Sequence, residues 1–442
     1  MIPKHVSNTN KRIMKKRLIF ICTLVLASMT VACTGNVSQN GSVQVLDIEK
    51  GIENIGYVNL GKYASEINYI PLETSLDCMM SSDEYVSMRK MGEMFYFYSQ
   101  FGAPVFAFTK EGKFKGMVGI NGRAAHEFTR YIRSFAVNGE RNELAICDMS
   151  GKLLIYDSNG AFTRSAQIGG EIQEMSDYKI FHSADDEYFF LRESFNHEIP
   201  DVGTNEKYAA QHLVTVNSKG EITNEKLWGY ITGITTPKAR RSGVTTSLLK
   251  SSLLETDKKF TIISNTDTVY SYNPLSKDAV AEYVIDFGKY ALGGSNPSMA
   301  RFNQGDIFFD TENFLVFSIM FPISYFKDEY PTNLRTVLVY DKQSGSIKAL
   351  KLDGLYGHAL VYNGFGTKAN ENAKGFAGFT NDLDGGIPFI PRYIKDGKMY
   401  QIMDAIRFMD LAEKGNSKRM KEVAAKLNDD SNPVLIEVTL KK

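Results

Sequence analysis

The chain has 442 residues, with 51 basic and 51 acidic side chains, 43% hydrophobic residues and 12% aromatic residues. This is the composition of a soluble globular protein, and it excludes a disordered or collagen-like chain. Residues 1–32 carry six basic and no acidic side chains, which leaves 45 basic against 51 acidic in the remainder. A mildly acidic body argues against nucleic acid as a partner, because phosphate binding needs a basic surface.

The N-terminus has the pattern of an export signal. The basic triplet Lys15-Lys16-Arg17 precedes an uncharged, mostly apolar run of 15 residues. Such a run is too short for a comfortable membrane span and is typical of a secretory signal peptide, which we predict at residues 1–32. The run ends directly before Cys33 and resembles a bacterial lipoprotein signal, in which this cysteine is lipidated. Ordinary secretory cleavage nearby, with the cysteine incidental, is the alternative.

A short polar segment follows the signal. Residues 34–42 are small and polar, so residues 33–60 are predicted to be a lipidated, flexible tether and lead-in, and residues 61–442 the folded body. The lipid would be the only membrane attachment, since no other apolar run reaches membrane-spanning length. An exported compartment permits a disulfide between Cys78 and Cys147. Free buried thiols are favoured, because Cys147 lies in an apolar strand.

The body is dominated by short strands of period two, rich in Val, Ile, Tyr and Phe. The clearest unit runs from Ile132 to Ile168 and has four strands joined by turns at Gly139, Gly151 and Gly160. Tight hairpin turns require positive φ, which glycine supplies. The unit is therefore a β-meander.

The sequence contains six copies of this meander, including the one from Ile132 to Ile168. The turns between first and second strands fall near Gly92, Gly139, Asp186, Asp257, Glu312 and Gly397. Six four-stranded meanders predict an all-β fold, a six-bladed β-propeller. The last copy lacks a fourth strand, and residues 67–73 form an unused strand at the other end. We therefore predict that the N-terminal strand closes the ring. A large β-sandwich, or two β-domains, is the alternative.

Three segments carry a resemblance to a known family. They are residues 69–74 (YIPLET), the blade ending at 156–160 (YDSNG) and residues 381–386 (NDLDGG) before the last blade. On these segments the chain resembles six-bladed β-propeller lipoproteins of Gram-negative bacteria, which are distantly similar to NHL-repeat propellers. The resemblance covers residues 60–442. It departs from the family at residues 122–128 (GRAAHEF), where Gly-Pro-Gly-Glu-Phe is common. Many members lie near glycan-uptake systems, so the resemblance implies a carbohydrate ligand.

Strand direction sorts the connections onto two ends of a propeller. Second-to-third-strand and blade-to-blade connections share one end, which receives the long segments 121–131, 195–211, 229–247, 288–305, 321–333, 352–387 and 405–432. Long connections are usually functional, so we expect a binding site there, with plugging of the channel as the alternative. The candidate ligand-binding residues on these segments are Arg123, His126, Arg240, Arg241 and His358. Arginine suits bidentate binding of carboxylate or sulfate.

A helical insertion in the last blade is predicted at residues 405–432. Met420, Val423, Ala424 and Leu427 fall at helical spacing, and Ser417 is a suitable N-cap. Packing of this insertion onto its own propeller is favoured over docking of a partner.

The best metal-ligand cluster is Asn381, Asp382 and Asp384, whose oxygens suit Ca²⁺. The run lacks the acidic residue that completes an EF-hand loop. Asp and Asn before Gly-Gly commonly form a turn by bonding their own backbone, which is the alternative. Calcium is thus the one cofactor that the sequence indicates.

Three functions stay open. The sequence favours a non-catalytic, lipid-anchored scaffold of the outer membrane that binds an unknown protein or a carbohydrate. The absence of an acidic run after Cys33 favours the periplasmic side. A metal-dependent propeller hydrolase or lyase with a site at the central channel is the first alternative. A purely structural envelope component is the second. The single tryptophan, Trp228, weakens a sugar-binding role, because sugar platforms often use tryptophan.

Overall fold

A computed structural model describes residues 43–80, 86–98, 103–168, 179–194, 207–234, 247–257, 259–291, 307–321, 334–362 and 367–442. Within these residues the chain forms six blades in a ring, each built on a four-stranded antiparallel sheet. The predicted all-β six-bladed β-propeller is confirmed. The predicted signal peptide and polar tether lie outside the described residues.

The helices and strands follow one another in chain order. The first are β1 (Gln44–Asp47), α1 (Ile48–Glu53), β2 (Ile55–Gly56), β3 (Ala64–Pro71), β4 (Ser87–Met91), β5 (Met94–Tyr98), β6 (Val105–Thr109), β7 (Phe114–Val118), β8 (Ile132–Asn138), β9 (Glu143–Asp148), β10 (Lys152–Asp157), β11 (Phe162–Gln167), β12 (Phe181–His182), β13 (Glu187–Ser194), β14 (Lys207–Asn217), β15 (Ile222–Ile234) and β16 (Ser247–Leu249). The others are β17 (Ser252–Glu255), β18 (Phe260–Ile263), β19 (Thr268–Asn273), β20 (Asp278–Asp286), β21 (Phe308–Asp310), β22 (Phe314–Phe321), β23 (Leu334–Asp341), β24 (Ser346–Leu350), β25 (Leu352–Tyr362), β26 (Thr367–Ala377), β27 (Tyr393–Lys395), β28 (Lys398–Met403), α2 (Ala405–Lys414), α3 (Lys418–Ala424) and β29 (Val434–Leu440).

Blades 1 to 5 each take four consecutive strands, beginning with β4, β8, β12, β17 and β21. The first strands of blades 6, 1, 2 and 3 (β27, β4, β8 and β12) contact one another in turn, which places them around the ring axis. All six turns between first and second strands lie where the sequence predicts them. The local pattern of short apolar strands and turn residues is therefore sufficient to locate the frame.

Both faces of the middle strands are buried, because each blade lies between two others. Along β5, Phe95 and Phe97 pack in a cluster with Tyr400 of blade 6. Tyr96 and Tyr98 point to the other side and pack against blade 2. Similar apolar clusters join the other neighbouring pairs of blades. Burial on both faces explains why these strands read as continuous apolar runs rather than as alternating ones.

The ring is closed as predicted. The sixth blade contains β27, β28 and β29, and its fourth strand is β3 from the N-terminal part of the chain. The pairing of β29 with β3 is antiparallel, with Val434 opposite Pro71 and Val438 opposite Ile67. Sequence-distant strands thus share one sheet, which removes the open joint of the ring.

Residues 43–60 form what we call the N-terminal belt. β1 pairs in parallel with β20 of blade 4, and β2 pairs in parallel with β24 of blade 5. Between them, α1 begins at the N-cap Asp47, whose side chain accepts a hydrogen bond from the Lys50 amide at 2.9 Å. Ile48 and Ile52 of this helix are buried between blades 4 and 5. The segment predicted as a flexible lead-in therefore forms regular elements along the rim.

Blades 3 and 5 are extended beyond the common frame. In blade 3, β14 and β15 are long, and β16 pairs with the end of β15. In blade 5, the hairpin of β25 and β26 continues the sheet, with Val361 opposite Leu334 of β23. The long connections predicted at 195–211, 229–247 and 352–387 contain these strands within their described parts. Turn-forming Gly and Asn residues in the sequence obscure their strand pattern.

The helical insertion is confirmed at α2 and α3. Ser417 caps α3, since its hydroxyl accepts a hydrogen bond from the Met420 amide at 3.0 Å. Met420 and Phe408 are fully buried in the apolar cluster that joins blades 5 and 6. The helices therefore pack onto their own propeller, as favoured from the sequence.

Two recurrent glycines have a packing role that the sequence does not reveal. Gly112 and Gly220 lie in third-to-fourth-strand turns with φ of +80° and +78°. A Cβ on Gly220 would collide with the carbonyl oxygen of Gln167 in blade 2, and one on Gly112 with that of Pro71 in β3. Each glycine thus supplies a left-handed turn and also permits close contact with the preceding blade.

Cys78 and Cys147 are buried and are not joined by a disulfide. They lie in different apolar clusters, one between blades 6 and 1 and the other between blades 2 and 3. Within the described residues, the structure has no helix long and apolar enough to cross a membrane.

Candidate functional site

The loop between blades 1 and 2, residues 119–131, is held firmly against blade 2. The Lys152 ammonium donates hydrogen bonds to the carbonyl oxygens of Ala124 and Glu127 at 3.0 and 2.9 Å. The Tyr156 hydroxyl donates to the carbonyl oxygen of His126 at 2.8 Å. Three contacts therefore fix the backbone of this loop against blade 2.

Two predicted ligand-binding residues are exposed on this loop. Arg123 and His126 both face solvent, and His126 Nε2 lies 3.8 Å from Glu127 Oε1. The Ala124 amide donates to the Glu127 carboxylate at 2.8 Å, which holds the pKa of Glu127 below its ordinary value. The His126 ring lies 6.1 Å from the ring of Phe162 in blade 2. A guanidinium, an imidazole and an aromatic ring are thus offered together, which suits a polar or anionic ligand.

The other predicted ligand-binding residues are spread along the chain. Arg240 and Arg241 lie outside the described residues. His358 lies in β25, directly opposite Lys374 of β26. Of the candidates within the described residues, Arg123 and His126 lie on one loop and His358 lies in a different blade.

The predicted metal ligands Asn381, Asp382 and Asp384 form a hydrogen-bonded turn, which we call the latch. The carboxylate of Asp384 accepts hydrogen bonds from the side-chain amide of Asn381 at 2.8 Å, from the Tyr69 hydroxyl at 3.1 Å and from the Ser417 hydroxyl at 2.5 Å. Burial, reinforced by the Asp384 charge, raises the pKa of Tyr69. Asp382 accepts from the Gly61 amide at 2.7 Å. These contacts tie the closing strand β3 and helix α3 to one turn.

A calcium ion at this turn would compete with these hydrogen-bond donors for the carboxylate oxygens of Asp382 and Asp384. Within the ranges that the structure describes, no group of three or more His, Cys, Asp or Glu side chains is placed to hold a metal ion. Calcium binding by Asn381, Asp382 and Asp384 stays a prediction. The structure adds a second role for the three residues, which is to hold the ring closure.

A charged cluster at the axis was missed from the sequence. Glu255 of blade 4 lies 2.8 Å from the Lys395 ammonium of blade 6 and 3.7 Å from the Arg89 guanidinium of blade 1. The Arg89 guanidinium also lies over the rings of Phe135 and Phe181, at 5.7 and 5.3 Å from their centroids. Side chains from five blades therefore meet at the axis. Their charges are paired with one another, so the cluster joins first strands across the ring.

A second polar cluster joins blades 3 and 4 near the end with the long connections. The Lys250 ammonium lies 3.2 Å from the buried Glu193 carboxylate. The Gln211 side chain donates to the Ser251 carbonyl at 3.1 Å and accepts from the Ser251 amide at 2.8 Å. The only sequence signal for either cluster is a charge inside an apolar strand, which does not reveal its partner.

The family model described as Domain of unknown function (DUF4934) matches residues 43–439. The chain belongs to this family. The match begins just before β1 and ends within β29, so the DUF4934 unit includes the N-terminal belt as well as the blades. Among functionally curated proteins, none matches the chain.

The chain is similar to several solved structures, of which BF0058 supports the fold. BF0058 of Bacteroides fragilis NCTC 9343, described as an exported protein, is 15% identical, and the alignment covers 91% of this chain and 100% of BF0058 with a TM-score of 0.57. BamB from Moraxella catarrhalis is 9% identical over 82% of this chain and 98% of BamB, with a TM-score of 0.32. The β-propeller domain of Cps50 (Swd1) from Myceliophteria thermophila is 10% identical over 62% of this chain and 88% of that domain, with a TM-score of 0.31. The similarity to BF0058 concerns the fold alone.

Proposed function

We propose that this DUF4934 protein is an exported outer-membrane lipoprotein, anchored through Cys33, that binds a ligand or partner without catalysis. The signal-like residues 1–32 support export and the position of Cys33 supports lipidation. The fold it shares with BF0058, a protein described as exported, agrees with this address. The periplasmic side of the membrane is preferred, because no acidic run follows the anchor.

The observation that carries the binding role is the difference between the two ends of the ring. Turns between first and second strands are short in all six blades. The other end carries the loop at 119–131, the extension of β14 to β16, the β25–β26 hairpin and the pair α2–α3. A rigid frame that concentrates its additions at one end is the usual arrangement of a binding surface.

The ligand that fits this end best is a carbohydrate with acidic groups. Arg123 can bind carboxylate or sulfate, and His126 can donate to hydroxyl groups. Tyr131 at the end of the same loop is exposed and offers an aromatic face. The frequent position of the resembling lipoproteins near glycan-uptake systems adds support for this class of ligand.

Two measurements test the proposal. Mass spectrometry of the membrane-extracted protein should show a lipid on Cys33, and an unmodified cysteine would contradict the anchor. A glycan array of neutral and acidic polysaccharides should show binding by the native protein. The double variant Arg123→Ala/His126→Ala should reduce that binding at least tenfold. The control Lys110→Ala/Arg141→Ala, in short turns at the other end, should leave it unchanged. Equal loss in both variants, or no binding, would count against the site.

A further inference from the structure

The N-terminal belt exposes apolar side chains along its outer side. The exposed fractions are 39% for Val43, 51% for Val45, 52% for Ile55 and 50% for Tyr57. In contrast, Leu46, Ile48 and Ile52 of the same belt are buried between blades 4 and 5. One side of the belt therefore attaches it to the propeller, while the other presents four large apolar residues within a short stretch of chain.

Soluble proteins usually avoid exposed apolar residues on the outer edge strands of a sheet, and these residues lie on or beside such strands. Within the described residues, β1 and β2 are the outermost strands of blades 4 and 5. Outer edge strands commonly carry charged residues, which prevent pairing with other chains. Single exposed apolar residues need no explanation. Four of them on or beside the edge strands of two neighbouring blades indicate a surface that is covered in the working protein.

The surroundings of the belt suit lipid headgroups. The Lys351 ammonium lies 5.4 Å from the centroid of the Tyr57 ring. Tyrosine rings and lysine side chains are both common at the depth of the lipid headgroups. The nearby Lys289 is paired with Glu49 at 2.8 Å. The apolar side chains therefore supply most of the binding to the bilayer, and Lys351 can contact lipid phosphates beside them.

The tether places the belt close to the membrane. This placement rests on the proposed lipidation of Cys33. Ten Cα-to-Cα steps separate Cys33 from Val43, so the two lie at most about 35 Å apart even when the tether is fully extended. The first described residue of the belt is therefore the point at which the propeller is held to the bilayer, whereas other rims are free to point away.

We propose that the rim of blades 4 and 5 rests on the bilayer, with Val43, Val45, Ile55 and Tyr57 in the headgroup region. The ring then stands on its edge, and its axis runs along the membrane. The end with the long connections stays open to the periplasm and accessible to a ligand. The anchor and the belt together fix this orientation, which one point of attachment cannot do alone.

Depth-dependent quenching tests this orientation in the lipidated full chain. Single variants Val45→Cys and Ile55→Cys are labelled with an environment-sensitive fluorophore and reconstituted into phosphatidylethanolamine–phosphatidylglycerol vesicles that contain nitroxide-labelled lipids. The matched controls are Met117→Cys and Leu227→Cys, which lie on outer strands of blades 1 and 3 and are exposed to a similar extent. Lipidated protein without an introduced cysteine controls for labelling of the buried Cys78 and Cys147.

We expect at least twofold stronger quenching at positions 45 and 55 than at 117 and 227. Equal quenching at all four positions, or none, in protein whose lipid is verified by intact mass would overturn the orientation and leave the lipid anchor intact. An unmodified Cys33 and loss of protein from the vesicles would reject the anchor and this inference together.

Discussion

Blades 2 and 5 share one frame and differ in what is attached to it. Blade 2 is a plain four-stranded sheet from β8 to β11. The sheet of blade 5 has seven strands, because β2 joins its outer edge and the β25–β26 hairpin extends it. In both blades the middle strands are buried between two neighbours. Contact with neighbouring blades therefore defines the frame, and changes in the frame should cost more stability than changes in the additions.

The largest effect is expected where blade 5 joins blade 4. The buried Asp310 carboxylate lies 2.5 Å from the Lys342 ammonium and 2.6 Å from the Lys259 ammonium, and it accepts a hydrogen bond from the Tyr283 hydroxyl at 2.9 Å. Burial lowers the pKa of Lys259, but the charges and hydrogen bonds of Asp310 and Glu282 together outweigh burial and raise that pKa. Asp310→Ala would leave both ammonium groups without this partner. We expect the free energy of unfolding to fall by about 4 kcal/mol in urea denaturation.

The control for this variant is Asp278→Ala, at an exposed position on β20 of blade 4. We expect it to change the free energy of unfolding by less than about 0.5 kcal/mol. If the two variants lose the same stability, the join between blades 4 and 5 does not depend on this ion cluster.

The next effect concerns the contact between blades 2 and 3. Gly220→Ala places a Cβ against the Gln167 carbonyl and forces alanine into a left-handed turn. Positive φ and overpacking together should cost about 3 kcal/mol of unfolding free energy. Gly139→Ala, at a turn where a Cβ meets no atom within 4 Å, should cost less than about 1 kcal/mol. Equal melting temperatures for the two variants would show that the blades can separate at Gly220 without loss.

The frame is predictable because its signals are local. Each hairpin turn, such as those at Gly92 and Gly397, lies between two strands that are adjacent in sequence. Ring closure is also predictable, because residues 67–73 remain without a partner when the six meanders are counted. The cap at Ser417 follows from the helical spacing that begins at Met420. In each case the pattern and the structure depend on residues within one short stretch, or on a simple count of strands.

The additions and the polar clusters depend on distant partners. Lys395 meets Glu255 across 140 positions of sequence, and Lys289 meets Glu49 across 240. A strand at the rim, such as β2, is two residues long, and neither of its residues is buried. Neither charge partners nor short edge strands leave a periodic signal. The segment 121–131 is predicted from strand direction and its length, whereas the fixation of this loop by Lys152 could not be predicted.

A smaller effect is expected at the latch that holds the closing strand. Asp384→Ala removes the acceptor for Tyr69, Asn381 and Ser417, and it should lower the free energy of unfolding by about 2 kcal/mol. Asp382→Ala loses one exposed hydrogen bond from Gly61 and should cost less than about 1 kcal/mol. Thermal melting with chelator and with added Ca²⁺ should give the same midpoint for the native protein, because protein donors already occupy the Asp384 oxygens.

A calcium-dependent rise of several degrees in the native protein, abolished in Asp384→Ala, would contradict that expectation. It would show that an ion binds the folded state. The latch would then be a metal site that the protein donors only partly fill, and the hydrolase alternative would regain support.

The smallest effect on stability should come from an addition. Replacement of residues 352–377 by a short Gly-Ser linker removes β25 and β26. This hairpin meets the frame at Leu334 of β23 and lies against α2, whereas its two strands mainly contact each other. We therefore expect urea denaturation to show a loss of about 1 kcal/mol or less. Glycan binding should weaken if the hairpin forms part of the binding end. A loss of stability as large as that of Gly220→Ala would mean that blade 5 needs its extra strands to fold, and that frame and addition cannot be separated in this blade.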